Sequence, residues 1–343
     1  MSRMGRDINV NFTKLAIVRC RKRWRMVGAA GGSCQHAHRT DVHDQPPMPR
    51  IPPSILLPAV LALAGLPCAQ AAQTVTLPAS LCPQSDPLFA SGFETAVAIP
   101  SQPSLGSGGA YPGALVRTIN VGGLGTRSYY LYVPTGYAPS QSWPLLLALR
   151  GTTLPTANGA QQVRNHWSSI AEAEGFIVLA PVGNSTQGGW GASGDDTEIS
   201  AVLDDALAHY NVERSRIHLW GFSAGAHYGH ALALNNPDYF AAYAASAGSL
   251  EMYACTDDGS YPPTCATLLG FVQPKIPVDI HLGTNDPLYS PPYTAAGDVL
   301  RFQANGWTLN RNLYYTVFSG GHTYSVPQLG EAWRHLCPFA LAQ

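Results

Sequence analysis

The sequence predicts an α/β fold, a mostly parallel sheet of eight strands with helices on both faces. Two observations carry this. From about residue 115 onward, short apolar runs alternate with helix-length segments. In the middle of that alternation a strand-like run, Arg216-Ile217-His218-Leu219-Trp220, leads into Gly221-Phe222-Ser223-Ala224-Gly225 and then a helix of small residues.

Taken in order, strands are expected near 115–120, 128–133, 145–149, 176–180, 216–221, 240–246, 277–283 and 313–318. Helices are expected near 161–173, 195–210, 224–235, 295–304 and 328–337. The strand Trp143-Pro144-Leu145-Leu146-Leu147-Ala148-Leu149 is apolar along its length, as a strand buried on both faces must be. The second helix starts with Asp195 as cap and Glu198 at the return position of a capping box. The Asp195-Asp196 pair therefore reads as a helix start rather than an acid/base dyad. The helix from Ala224 stops before Pro237. Residues 72–114, rich in Pro, Gly, Ser and Ala, read as a linker or loosely packed leader.

Strand, G-x-S-x-G, helix is the context of a nucleophile elbow. A serine on so sharp a turn takes a strained backbone, and side chains two residues away on either side would collide. Gly221 and Gly225 remove those collisions. A serine hydroxyl needs a base to take its proton and a third group to orient that base. In this architecture the chain order is Ser, acid, His. Asp286 follows the strand-and-Gly run Pro277–Gly283, and His322 follows the strand Leu313–Phe318 and a Gly320-Gly321 hinge. Asp279 lies among apolar neighbours inside its strand and reads as structural, and Asp298 reads as a solvated helix residue. His335, on a terminal helix, reads as a surface or packing residue. His218, His227, His230 and His281 read as packing or hydrogen-bonding partners. Two N–H donors for a developing oxyanion are expected from Ala224, next to the serine, and Thr152, in the loop Arg150-Gly151-Thr152-Thr153.

These pieces resemble the secreted polyhydroxybutyrate depolymerase-like and feruloyl esterase-like esterases of the α/β-hydrolase superfamily. The resemblance runs from about Thr118 to the C-terminus. It rests on Tyr129-Tyr130-Leu131-Tyr132-Val133-Pro134, the strand before Arg150-Gly151, Ala171–Val178, Trp190 followed by Asp195-Asp196, the Gly221–Gly225 elbow, Gly283-Thr284-Asn285-Asp286 and Gly321-His322. It implies the α/β-hydrolase fold over residues 115–343 and a serine carboxylic ester hydrolase without cofactor or metal. The substrate would be a polyester oligomer, a feruloyl or acetyl polysaccharide ester, or a small ester. Trp190, in a Gly-rich loop, would flank the acyl or aromatic part of that substrate. The family usually carries His-Gly where this chain has Arg150-Gly151. That departure bears on specificity more than on reaction class. A serine peptidase on the same fold and a catalytically silent binding protein are the alternatives. Retention of Ser223, Asp286 and His322 together speaks against the silent one.

The chain has 343 residues, of which 45% are hydrophobic and 12% charged, which is enough for one sizeable core. Residues 1–71 carry ten Lys/Arg against three Asp/Glu, and the remainder ten against eighteen. A mildly acidic mature chain is a poor nucleic-acid binder. From Met48 a basic residue, a short apolar run and Ala69-Gln70-Ala71 have the form of a secretory signal over 48–71. The run is too short, and too broken by Pro58, for a stable membrane span. Met48 is therefore the expected start, with 1–47 a misassigned extension and the mature chain extracellular or periplasmic. Four cysteines then remain, an even number suited to two disulfides. Cys255 and Cys265 bracket one loop and are expected to pair locally, which leaves Cys82 with Cys337. A zinc site is the alternative to the disulfides, but none of the metal-ligand spacings appear.

Overall fold

A computed structural model describes residues 100–191, 193–257, 263–290 and 294–341. The expected extension, the signal segment and Cys82 lie outside the described residues. Eight strands form one sheet: β1 (Gly113–Val121), β2 (Gly125–Val133), β3 (Trp143–Leu149), β4 (Ile177–Pro181), β5 (Val212–Phe222), β6 (Ala242–Ser246), β7 (Val278–Gly283) and β8 (Leu313–Phe318). Their order is β1-β2-β4-β3-β5-β6-β7-β8. β2 pairs antiparallel with β1 and β4, and every pairing from β4 through β8 is parallel. The α-helices are α1 (Thr156–Glu174), α2 (Asp195–His209), α3 (Ala224–Asn235), α4 (Cys265–Phe271), α5 (Ala295–Ala304) and α6 (Val326–Leu336). All eight expected strands and all five expected helices are present. The seven-residue α4 is an addition, started by Thr264, whose side chain accepts the Thr267 N–H.

The alternation of side chains along each strand explains the two layers of helices. Leu145, Leu147 and Leu149 of β3 enter one apolar layer with Ile199, Leu203, Leu232 and Phe302. Leu146 and Ala148 enter the other with Trp167, Ile170, Leu329 and Trp333. A sheet buried on both faces must read as continuous apolar runs, which is why β3 did. Phe176 stacks on Trp333 with ring centroids 3.7 Å apart, locking α6 against the end of α1.

Three expectations change. Residues 101–106 are docked rather than loose. Gln102 N–H donates to Glu213 Oε1 at 2.6 Å, Ser104 N–H to the Val212 carbonyl at 2.8 Å, and Leu105 N–H to Asn211 Oδ1 at 3.1 Å. The start of α2 is not a capping box. Gly194 is the cap residue, at φ 97°, and no side chain bonds there. The carboxylates instead reach backward. Asp195 Oδ1 accepts the Asn184 N–H at 2.6 Å and Glu198 Oε1 accepts the Gly183 N–H at 2.8 Å, pinning the loop after β4. Third, Asp298 is fully buried rather than solvated. It accepts the Leu250 N–H at 2.9 Å and Arg301 Nη1 at 2.9 Å, and burial raises its pKa to about 7. Arg301 also bonds Glu251 and Asp257, so one guanidinium ties the loop after β6 to α5. Removing it strands a buried carboxylate. Arg301→Ala is expected to cost about 3–5 kcal/mol of stability by chemical denaturation.

Cys255 and Cys265 form a disulfide with Cα atoms 4.8 Å apart, as expected from the local spacing. No helix among the described residues is long and apolar enough to cross a membrane.

Candidate active site

The parallel strands bring their carboxyl ends to one edge, and the loops leaving β3, β5, β7 and β8 meet there. Ser223, at the end of β5, has φ 53° and ψ −119°, a region costly for any residue with a Cβ. Its N–H donates to the Ser246 carbonyl at 2.9 Å, which helps hold the turn. The flanking glycines are obligatory. A Cβ on Gly221 would lie 2.2 Å from the Gly225 oxygen, and one on Gly225 would lie 2.3 Å from the Leu149 oxygen. So the elbow closes on itself and against the end of β3.

His322 Nε2 lies 2.7 Å from Ser223 Oγ, and His322 Nδ1 lies 2.9 Å from Asp286 Oδ2. The second oxygen of Asp286 accepts the Leu288 N–H at 2.9 Å as the carboxylate caps a short 3₁₀ turn. With Nδ1–H directed at the carboxylate, Nε2 presents its lone pair to the serine hydroxyl. The Asp286 side chain is fully buried, whereas His322 is about two-fifths exposed, so solvent reaches the imidazole but not the acid.

Glycine again makes the approach possible. A Cβ on Gly283 would lie 2.4 Å from the Gly321 oxygen, so the loops carrying Asp286 and His322 touch backbone to backbone. Asn285 N–H donates to the Gly320 carbonyl at 2.8 Å and Thr284 N–H to the Phe318 carbonyl at 2.9 Å. Phe222 packs 5.2 Å from the His322 ring and 4.7 Å from Tyr324, which gives the histidine an apolar backing.

The loop after β3 lies against the elbow. A Cβ on Gly151 would lie 3.3 Å from the Ser223 Cβ. Neither the Ala224 nor the Thr152 N–H is taken up by an acceptor among the described residues. Thr152 is exposed and Ala224 is the first residue of α3.

Arg150 is the feature that motif reading could not place. It is 1% exposed. Its Nε donates to the Val182 carbonyl at 2.9 Å, Nη1 to those of Gly151 (3.1 Å) and Gly188, and Nη2 to that of Gly189 at 3.4 Å. Burial lowers its pKa to about 10, with Asp195 and Glu198 acting in the other direction, so it stays charged at neutral pH. One guanidinium thus ties the loop after β3 to the loop after β4. A lysine has no fork to span those carbonyls. Both Arg150→Ala and Arg150→Lys are expected to lower kcat by ~10²–10³, the scale of a lost oxyanion donor. Steady-state kinetics alongside thermal denaturation checks this.

Trp190 takes a different place from the one expected. It is 3% exposed, and its ring lies 4.8 Å from the Arg150 guanidinium carbon and 5.8 Å, stacked, from Tyr228. Its Nε1–H donates to the Arg150 carbonyl at 2.7 Å, and Tyr253 OH donates to the Trp190 carbonyl at 2.7 Å. Buried between these partners, the ring leaves almost no surface to solvent. It braces the Arg150 loop instead.

The other histidines lie apart from the triad's hydrogen bonds. Burial lowers His218 and His230 to about 3. His230 Nδ1 pairs with Tyr243 OH at 3.0 Å, and His227 Nδ1 accepts the Ser249 N–H at 2.8 Å. Asp279 is buried beside His281 and His335, away from Ser223's partners.

Sheet order and the strand–serine–helix turn define the fold class. The chain has the α/β-hydrolase fold. It is similar to carboxylic esterases, in line with the resemblance read from its motifs. It is 33% identical to a bifunctional acetylxylan esterase/xylanase of Neocallimastix patriciarum, over 36% of this chain and 18% of that one. It is 30% identical to poly(3-hydroxyalkanoate) depolymerase C of Paucimonas lemoignei, over 44% and 38%. It is 28% identical to feruloyl esterase C of Emericella nidulans, over 47% and 60%. The chain therefore spans less than two thirds of the length of each of these relatives. Among solved structures, a thermostable esterase superposes with TM-score 0.50 at 19% identity, covering 66% of this chain and 63% of that one. A ferulic acid esterase from Anaeromyces mucronatus superposes with TM-score 0.50 at 16% identity, covering 67% and 93%. No family model matches the chain.

Proposed function

We propose that this protein is an exported serine carboxylic ester hydrolase. The observation that carries the reading is the continuous path from Ser223 Oγ through His322 to the buried Asp286. Ser223 attacks the ester carbonyl while His322 Nε2 takes its proton. The N–H groups of Ala224 and Thr152 hold the oxyanion. The tetrahedral intermediate collapses as the His322 proton passes to the leaving alcohol. Water, deprotonated by the same imidazole, then cleaves the acyl-enzyme and restores Ser223. Asp286 fixes the tautomer and stabilises the imidazolium throughout.

Similarity to acetylxylan and feruloyl esterases and to a polyhydroxyalkanoate depolymerase supports an acetyl or feruloyl polysaccharide ester, a polyester oligomer or a small ester as substrate. The Cys255–Cys265 disulfide and the signal-like segment at 48–71 support export into an oxidising compartment. A fluorophosphonate probe is expected to label the protein, with the adduct on Ser223 by peptide mapping. An unlabelled, folded protein would end the proposal. Acetyl-xylan, methyl ferulate and hydroxybutyrate oligomers, assayed side by side, then rank the substrate classes.

A further inference from the structure

Away from Ser223, β7 and α6 bring together side chains of the types that ligate metals. Val278 and Ile280 of β7 enter one apolar layer, so Asp279 and His281, alternating with them, face the other side, where α6 lies. Asp279 Oδ2 is 2.7 Å from His281 Nε2 and 3.1 Å from His335 Nδ1. One ligand atom from each residue lies within 4.8 Å of the other two. Glu331 precedes His335 by one helical turn, on the same face of α6. Its carboxylate accepts Thr316 Oγ1 at 3.2 Å, and Thr316 is the strand neighbour of His281. The chain thus sets D-x-H on one strand face against E-x-x-x-H on one helix face.

Hydrogen bonding accounts for this cluster only in part. Asp279 Oδ2 and His281 Nε2 bond each other at 2.7 Å, while Asp279 Oδ1, His281 Nδ1 and His335 Nδ1 are buried with no hydrogen-bond partner among the described residues. His335 Nδ1, though close to the carboxylate, is not directed to hydrogen-bond it. A ring nitrogen 3.1 Å from a buried carboxylate without bonding it is placed as a ligand beside a shared point would be. Buried polar groups left in this state are costly.

We propose that Asp279, His281 and His335 form a three-ligand protein site for a zinc-class divalent transition metal, with Glu331 beside it. Two imidazoles with a carboxylate suit zinc, whereas calcium and magnesium take all-oxygen sets. The Asp279 and His281 side chains are 1% exposed, and His335, at 22%, leaves the route by which an ion enters. The metal clips α6 to β7. Because α6 begins four residues after His322, the clip steadies the element that anchors the histidine loop. Its role is stabilisation, so activity need not depend on it.

The test uses the full chain stripped with a chelator and titrated with zinc chloride. One equivalent is expected to bind by calorimetry, and at ~100-fold excess over Kd the midpoint of thermal unfolding rises by about 5–10 °C. Cobalt(II) should give the visible absorption of a four-coordinate site. His335→Ala is expected to lose at least ~10-fold in affinity and most of the thermal shift, the scale of a lost metal contact. Should that variant not fold, His335→Gln, which keeps side-chain length without the imidazole, serves instead. Wild-type protein that takes up no metal overturns the proposal. So does a His335 variant that binds as tightly as wild type, since the ion would then sit elsewhere.

Discussion

Ser223→Ala is expected to lower turnover of a short-chain nitrophenyl ester by ~10⁶-fold, the loss seen when a triad nucleophile is removed from a preorganised site. The substitution leaves the fold alone. The strained φ of 53° is imposed by the backbone on any residue with a Cβ, so alanine meets the same cost that serine does. The Ser223 N–H bond to the Ser246 carbonyl also survives. What disappears is the oxygen 2.7 Å from His322 Nε2. Activity above the uncatalysed rate should persist at ~10³–10⁴-fold, because oxyanion donors and substrate binding remain. Near-normal turnover in a correctly folded Ser223→Ala protein would remove the nucleophile from the mechanism, and with it the reading of the elbow.

Much of this site was legible because its constraints are local. The elbow needs glycine on both sides of a serine between strand and helix, and those residues are adjacent in sequence. Asp286 and His322 each follow a strand and a glycine, so their positions at the sheet edge follow from the strands. What was illegible depends on partners far along the chain. Arg150 was visible as a departure from the family's histidine, yet its work is done on carbonyls 32 and 38 residues away. Trp190 looked like a substrate wall because a Gly-rich loop suggested exposure. Arg150, Tyr228 and Tyr253 bury and hold it. Asp298 was read as solvated from its place on a helix, and only the folded chain brings the Leu250 N–H and Arg301 to it. The helix Cys265–Phe271 does not show in the sequence because it starts at the cysteine that closes the Cys255–Cys265 loop, and seven residues are too few for a period to emerge.

Asp286→Asn is expected to lower kcat by ~10⁴-fold with KM nearly unchanged. The argument is one of donor direction. In the native site, one carboxylate oxygen accepts the Leu288 N–H and the other accepts His322 Nδ1–H, each at 2.9 Å. An asparagine has a single oxygen for these two donors. If that oxygen keeps the Leu288 bond, the amide NH₂ faces Nδ1, which must then become an acceptor. The proton moves to Nε2, and the imidazole can no longer receive the serine proton. If the amide turns round, its NH₂ meets the Leu288 N–H, a buried donor facing a donor, which is costly where the side chain is fully buried. Both orientations disable the relay, the first by tautomer and the second by strain. KM is spared because the acid does not touch substrate. Asp279, the nearest acid in sequence, does not replace it, because it lies buried beside His281 and His335. A loss smaller than about tenfold, with unchanged stability, would show that the imidazole is oriented by something other than Asp286.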